Sequence, residues 1–137
     1  MKTHVIRLLP GQDLRKELHL FAKRRNIKAG AIVTCVGSLK KAVLRMAGAT
    51  VDKQVVKEIS GPFEIVSLVG TLEQADMHLH GSFSNTAGEV IGGHVKEGCI
   101  IEVTAEVVIG ELEGVAFRRE LDRNTGFEEL KIEKSES

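Results

Sequence analysis

Several residue types and features are scarce or missing in this 137-residue sequence. It has no tryptophan, no tyrosine, two prolines and two cysteines. Because tryptophan and tyrosine provide stacking surfaces for bases, their absence counts against a nucleic-acid-binding protein. No segment reaches the roughly 18 apolar residues that span a bilayer, and the N-terminus lacks the pattern of a signal peptide. We therefore expect a cytoplasmic protein, or a nuclear one in a eukaryote, with no membrane partner.

The overall composition is that of an ordinary soluble globular protein, with 42% hydrophobic and 28% charged residues. The length suits one domain with a core of its own. We predict a single domain over residues 1–132 and a short disordered tail over 133–137. Cys35 and Cys99 each lie in an apolar run, which predicts buried free thiols rather than a disulfide.

The formal net charge of zero hides a division along the chain. Residues 1–45 carry a formal charge of +9, and residues 46–137 carry −9. One interpretation is a basic face for nucleic acid. The other, which we favour, is a pair of surfaces that attract each other within or between subunits. The charge pattern alone leaves both open.

The first thirty residues predict one strand and one helix. Thr3 to Leu9 alternates and is rich in β-branched residues, as a strand requires. After Pro10-Gly11 the apolar residues recur with helical spacing, which predicts a helix of about 12–15 residues. Its apolar stripe consists of Leu14, Leu18, Phe21 and Ala22. Asp13 lies at its start as the capping acid, and Lys23, Arg24 and Arg25 form its basic end.

The rest of the chain consists of strand-like runs joined by short connections with Gly, Asn, Asp or Pro. These runs are AIVTCVG, KAVLRMA, KQVVKEI, FEIVSLVGTLE, MHLHGSF, EVIGGHV, CIIEVTAEVVIGEL, VAFRREL and FEELKIE. With one long amphipathic helix among so many strands, we expect the α+β class. The expected architecture is a mostly antiparallel, curled sheet with one main amphipathic helix packed on it.

Three of the five histidines fall within the stretch MHLHGSFSNTAGEVIGGH. His78 and His80 are two residues apart, so a strand projects both side chains from one face. An odd-length turn centred on Thr86 or Ala87 would place His94 on the same face, and an even-length loop would place it on the other. Gly92-Gly93 indicates either a bulge or the close approach of another group.

Three neutral imidazoles would suit Zn²⁺ or a similar divalent transition metal, with a fourth position left for water or a small-molecule ligand. The alternative is an exposed or hydrogen-bonded pair without a metal. Polar residues within apolar strands are candidates for contacts to a ligand or to the metal ligands: Ser38, Arg45, Ser82 and Glu102. For Arg45 and Glu102 an intersubunit salt bridge is the favoured role, and for His4 and His19 a structural or surface one.

The chain resembles the plants and prokaryotes conserved (PPC) domain family over nearly its whole length. The resemblance rests on GQDL, AGAIVTCVGSLKKAVLR, GPFEIVSLVGTL and HLHGSFSNTAGEVIGGHVKEGCIIEVTAEVVIG. It implies one main helix on an antiparallel sheet, a homotrimer, and a metal ion on His78, His80 and His94. It also implies a partner-binding or assembly segment at Gly61, Phe63, Glu64 and Ile65, although Pro62 stands where the plant branch has arginine.

Three functions stay open at this point. The first is a metal-binding homotrimer, with or without catalysis; the second is a DNA-binding or chromatin-associated module; the third is a regulatory interaction module. The AT-hook of the plant members is absent from this sequence, so DNA binding would rest on analogy of fold. No catalytic motif is present, and the sequence therefore names no reaction.

Overall fold

The computed structural model describes residues 1–135, which form eight strands and one helix. The elements in chain order are β1 (Lys2–Leu8), α1 (Leu14–Arg24), β2 (Gly30–Arg45), β3 (Val56–Leu72), β4 (Met77–Ser84), β5 (Val90–Val95), β6 (Ile100–Glu111), β7 (Val115–Leu121) and β8 (Glu128–Lys134). Every strand pairing among these residues is antiparallel.

The expected α+β class is wrong, although the antiparallel sheet is present. About 60% of the chain is strand, and only 8% is helix. The single helix has 11 residues, which is too little helix to form a layer of its own. The physical reason is that only the segment after Pro10 has an apolar repeat of helical period, while the rest alternates with period two. The protein is therefore a mainly β protein.

Six strands form one curled sheet in the order β1-β6-β2-β3-β4-β5. The end of β2 also pairs with β5, through Leu44–Val95 and Arg45–His94, so the sheet folds back on itself. Strands β7 and β8 form a separate hairpin. Four of the predicted runs merge in pairs, because β2 and β3 are long strands of 16 and 17 residues that form one extended hairpin.

Helix α1 packs its apolar stripe into the concave side of the sheet, as the spacing predicts. Leu14, Leu18 and Ala22 are fully buried. The Asp13 carboxylate accepts a hydrogen bond from the Lys16 backbone N–H at 3.0 Å, which confirms the predicted cap. The helix has 11 residues, slightly fewer than the predicted 12–15, and its last turn is basic, as predicted. It is too short and too polar to cross a membrane, and it is the only helix within residues 1–135.

Both cysteines are buried free thiols, as predicted. Burial raises the pKa of Cys35 and of Cys99 to about 11. At the other end of the chain, β8 reaches Lys134, so the first two residues of the predicted tail belong to a strand. Residues 136 and 137 of that tail lie outside the described residues.

Basic residues of the first third pair with acidic residues of the remainder. Arg15 binds Asp76 at 3.2 Å, and Lys41 binds Glu58 at 2.8 Å. These pairs favour the interpretation of the charge division as attraction within the molecule. Arg15 and Lys41 are also two of the cations that could contact DNA phosphates. Because both are already in ion pairs, the DNA-binding alternative is weakened.

Candidate metal centre

The β4–β5 hairpin brings the three histidines together. His80 lies opposite His94, and the pairing continues without a shift to Ser84 opposite Val90. This register centres the turn on Ala87, so the predicted odd-length turn is confirmed. The Asn85 side-chain oxygen accepts hydrogen bonds from the N–H groups of Ala87 and Glu89, both at 3.0 Å, and thereby fixes the turn.

Glycines allow neighbouring backbones to approach this hairpin closely. A Cβ atom on Gly93 would lie 2.7 Å from the Arg45 carbonyl oxygen, and one on Gly70 would clash with the His78 carbonyl oxygen. Of the two alternatives for Gly92-Gly93, close approach is therefore correct and a bulge is wrong. The approach of β2 at Gly93 is what places Arg45 beside His94.

The ligand nitrogens are nearly at metal-binding separation. The Nε2 atoms of His78 and His80 are 3.1 Å apart, and one nitrogen from each of the three histidines lies within 4.8 Å of the others. Two nitrogens on one tetrahedral zinc at about 2.0–2.1 Å would lie about 3.3–3.4 Å apart. Small side-chain rotations would therefore bring all three nitrogens onto one ion. Within residues 1–135 no other group of three or more such side chains converges in this way.

The surroundings of His94 and His78 favour the neutral imidazole, the form that binds a metal. Burial, followed by the charge of Arg45, lowers the pKa of His94 to about 3. Burial and the neighbouring His80 also lower the pKa of His78. The Nδ1 atom of His94 is buried and has no hydrogen-bond partner among the described residues. An orphaned nitrogen at this position fits a ligand set that is completed by a metal ion.

A cavity of about 260 Å³ lies against His78 and His94. Arg45, Arg119, Phe127 and Glu129 are among the residues that line it. Of these four, the sequence predicted only Arg45. The other three belong to the β7–β8 hairpin or to the turn within it. No spacing signal connects this hairpin with the histidines, because it reaches them only through tertiary packing.

The four predicted polar contacts have different positions. Arg45 lies beside His94 and stacks on the Phe127 ring, with 5.4 Å from the guanidinium carbon to the ring centre. Ser82 is two residues from His80 on the same face of β4, where its hydroxyl lies 3.5 Å from the Ser67 hydroxyl. Of the four, only Arg45 lines the cavity; the Ser38 hydroxyl accepts a bond from the Val103 N–H at 3.2 Å, and Glu102 is exposed.

The predicted partner-binding segment is only partly at the surface. Phe63 and Ile65 are core residues, 4% and 5% exposed, and the Phe63 ring packs against Phe83. Gly61 is half-buried and Glu64 is exposed. Any contact of this segment with a partner would therefore involve Glu64 and the backbone rather than the two apolar side chains. The role itself stays a prediction.

The two isolated histidines have structural contacts, as predicted. The His4 ring pairs with the Glu111 carboxylate at 2.8 Å, in a buried position where the ring also meets the edge of Phe21. The His19 ring lies 3.1 Å from the Gln74 carbonyl oxygen. Neither histidine belongs to the cluster of three.

Fold and site together define a class of small antiparallel β proteins that carry three convergent histidines beside a polar cavity. The chain matches the family model of the Plants and Prokaryotes Conserved (PCC) domain over residues 1–113. It belongs to this family, which confirms the resemblance seen in the sequence. The matched region contains all three histidines but ends before β7, so Arg119 and Glu129 lie beyond it.

Individual relatives show the extent of the similarity. A hypothetical protein from Salmonella cholerae-suis is 38% identical with a TM-score of 0.91, over 97% of this chain and 94% of that one. A metal-containing protein from Archaeoglobus fulgidus is 30% identical with a TM-score of 0.81, over 93% and 91%. The bifunctional protein GlmU of Synechococcus sp. (strain JA-3-3Ab) is 40% identical over 98% of this chain, which spans only 21% of that protein.

Proposed function

We propose that this PCC-domain protein binds Zn²⁺ or a similar divalent transition metal on His78, His80 and His94. The convergence of three histidine side chains, with one ring nitrogen of each within 4.8 Å of the others, carries the proposal. The ligand set is purely nitrogen, which suits a borderline transition metal and not an oxygen-seeking ion such as Ca²⁺. The similarity to a metal-containing protein from Archaeoglobus fulgidus gives independent support.

Three protein ligands leave one tetrahedral position for an exchangeable group. A metal bound in this way supplies Lewis acidity, which can activate water or hold a small ligand. Arg45 and Arg119 place positive charge in the cavity beside the histidines, and the hairpin β7–β8 supplies part of the cavity wall. These features support a ligand-binding or hydrolytic centre, and no particular reaction follows from them.

Metal analysis of the purified protein tests the proposal. We expect about one transition-metal ion per chain in the wild type after loading and desalting. The double variant His78→Ala/His94→Ala should retain less than about a tenth of it, because two of three ligands are lost. His19→Ala is the matched control, since it removes a histidine outside the cluster, and it should retain the full content. Circular dichroism checks that all variants are folded, and equal metal content in all three proteins would refute the proposal.

We further propose that the functional form is a homotrimer. The support is an apolar outer surface on the six-stranded sheet that a single chain leaves in water. Its valines are Val5, Val33, Val36, Val66, Val69 and Val103, each at least 55% exposed. These valines lie on the adjacent strands β1, β6, β2 and β3, and exposed apolar residues grouped on one sheet are typical of protein interfaces. Val69 lies opposite His80 on the same face, so a neighbouring subunit on this surface would also border the metal centre.

A further inference from the structure

The cavity beside the histidines is lined by more cationic than acidic side chains. Four of its lining side chains are cations, namely Arg15, Arg45, Lys96 and Arg119, and three are acids. With the histidines neutral, the formal charge of the lining is +1. The cavity therefore favours a ligand with a single negative charge.

Two of these arginines have buried nitrogen atoms without a partner among residues 1–135. They are Nε of Arg119 and Nη1 of Arg15. The Nη2 atom of Arg15 is already used, by the Asp76 carboxylate at 3.2 Å and the Met77 carbonyl oxygen at 3.1 Å. A buried charged donor without an acceptor is costly, because it has lost its hydrogen bonds to water. Such donors in the wall of a cavity indicate an acceptor that occupies the cavity.

Arg45 presents a third guanidinium to the same space. Its guanidinium group lies over the Phe127 ring. Within the described part of the chain, no carboxylate lies within ion-pair distance of it. Since β2 pairs with β5 at Arg45 and His94, this charge lies next to the candidate metal ligand.

We propose that this cavity binds a small monocarboxylate, with its carboxylate held by Arg119 and Arg45 and assisted by the free nitrogen of Arg15. The planar guanidinium group matches a carboxylate with paired N–H donors. The volume of about 260 Å³ is below the roughly 300–1,000 Å³ of pockets for drug-sized ligands, so the ligand is small. The inference rests on the proposed function in that the carboxylate lies beside the metal, but the arginine contacts do not require the metal.

Titration with acetate, followed by ¹H–¹⁵N spectra of the arginine Nε–H groups, tests the proposal. Zinc-loaded protein and protein stripped with a chelator are titrated separately at constant ionic strength, with chloride as the reference anion and inorganic phosphate as a second arm. We expect a saturable shift of the Arg119 Nε–H signal with acetate in both forms. In the chelator-stripped form phosphate should bind more weakly than acetate, because its second charge exceeds the formal charge of +1 of the lining.

Paired arginine variants give the control. Arg119→Gln should raise the Kd for acetate at least about tenfold. Arg118→Gln removes the neighbouring arginine, whose side chain is 63% exposed and pairs with Glu133, and it should leave the Kd unchanged. Equal Kd values for the two variants, or no saturable shift in either form, would overturn the proposal.

The chelator-stripped wild type separates this proposal from the metal centre, because it keeps His78 and His94 in the cavity wall. Acetate binding in that form would support the arginine site even if the protein as purified held no metal. Metal in the wild type without a saturable effect of acetate would leave the metal centre standing and refute the carboxylate site.

Discussion

At the scale of single residues, the three histidines share one cluster but differ in their surroundings. His78 and His80 are exposed, whereas His94 is half-buried and lies opposite Arg45 of β2. Strand parity was enough to predict that two of them share a face. The surroundings of His94 could not be predicted, because Arg45 is far away in the sequence and arrives by the β2–β5 pairing.

The two thiols give a prediction for alkaline pH. In the unfolded chain a thiol titrates near 9, and burial raises the pKa of Cys35 and Cys99 to about 11. Between these values the unfolded state loses protons that the folded state keeps, so stability falls as the pH rises from 9 to 11. By pH 10 we expect a loss of about 1 kcal/mol for each thiol.

Urea unfolding at pH 8 and pH 10 measures this loss. The variant Cys35→Ala/Cys99→Ala should lose clearly less stability than the wild type over the same interval. The comparison is favourable because the chain has no tyrosine to titrate in this range. Identical losses in both proteins would contradict the assignment to the thiols.

At the scale of elements, local pattern predicted the helix and most strands. The stripe of Leu14, Leu18 and Ala22 and the cap at Asp13 are local properties, and the structure confirms them. The lengths of β2 and β3 were not predictable, because the chain continues through Gly37 and Gly61, at which local pattern indicates a break. At both glycines a Cβ atom would meet the backbone of a neighbouring strand, so the cause lies in tertiary packing.

Asp13 connects the helix to the sheet, which makes its removal informative. One carboxylate oxygen accepts from the Lys16 N–H at 3.0 Å, and the other accepts from the Gly98 N–H at 2.7 Å. Asp13→Ala loses both bonds and should lower the free energy of unfolding by about 2–3 kcal/mol. Asp13→Asn keeps one acceptor oxygen for the cap, so we expect about half that loss. Chemical denaturation measures both, and equal stabilities of the two variants would show that the cap contributes nothing.

At the scale of the whole molecule, the sheet closes on itself and leaves an apolar outer surface. The fully buried core faces the helix, while the exposed valines face outward. One short helix is enough to cover the concave side, which is why the expected α+β class was wrong. Covering the valines of the outer surface would remove apolar area from water. We propose that further copies of the same chain cover them.

Light scattering with size-exclusion chromatography tests the trimer. The wild type should have three times the chain mass of 14.9 kDa. Val36→Lys places a charge on the outer surface opposite Glu106, where a cross-strand pair keeps the monomer folded, and it should shift the mass to that of one chain. Leu121→Lys, on the β7–β8 hairpin, is the control and should stay trimeric. A wild type of 14.9 kDa would refute the proposal.

The sequence by itself determined the helix, the strand-rich remainder and the shared face of His78 and His80, because each depends on spacing within a few residues. It determined the family as well, since that resemblance is a property of the chain. Only the tertiary structure decided the closure of the sheet, the place of Arg45 beside His94, and the arrival of Arg119 at the same cavity. These contacts join residues that are distant along the chain, and their positions follow from how the packed strands meet.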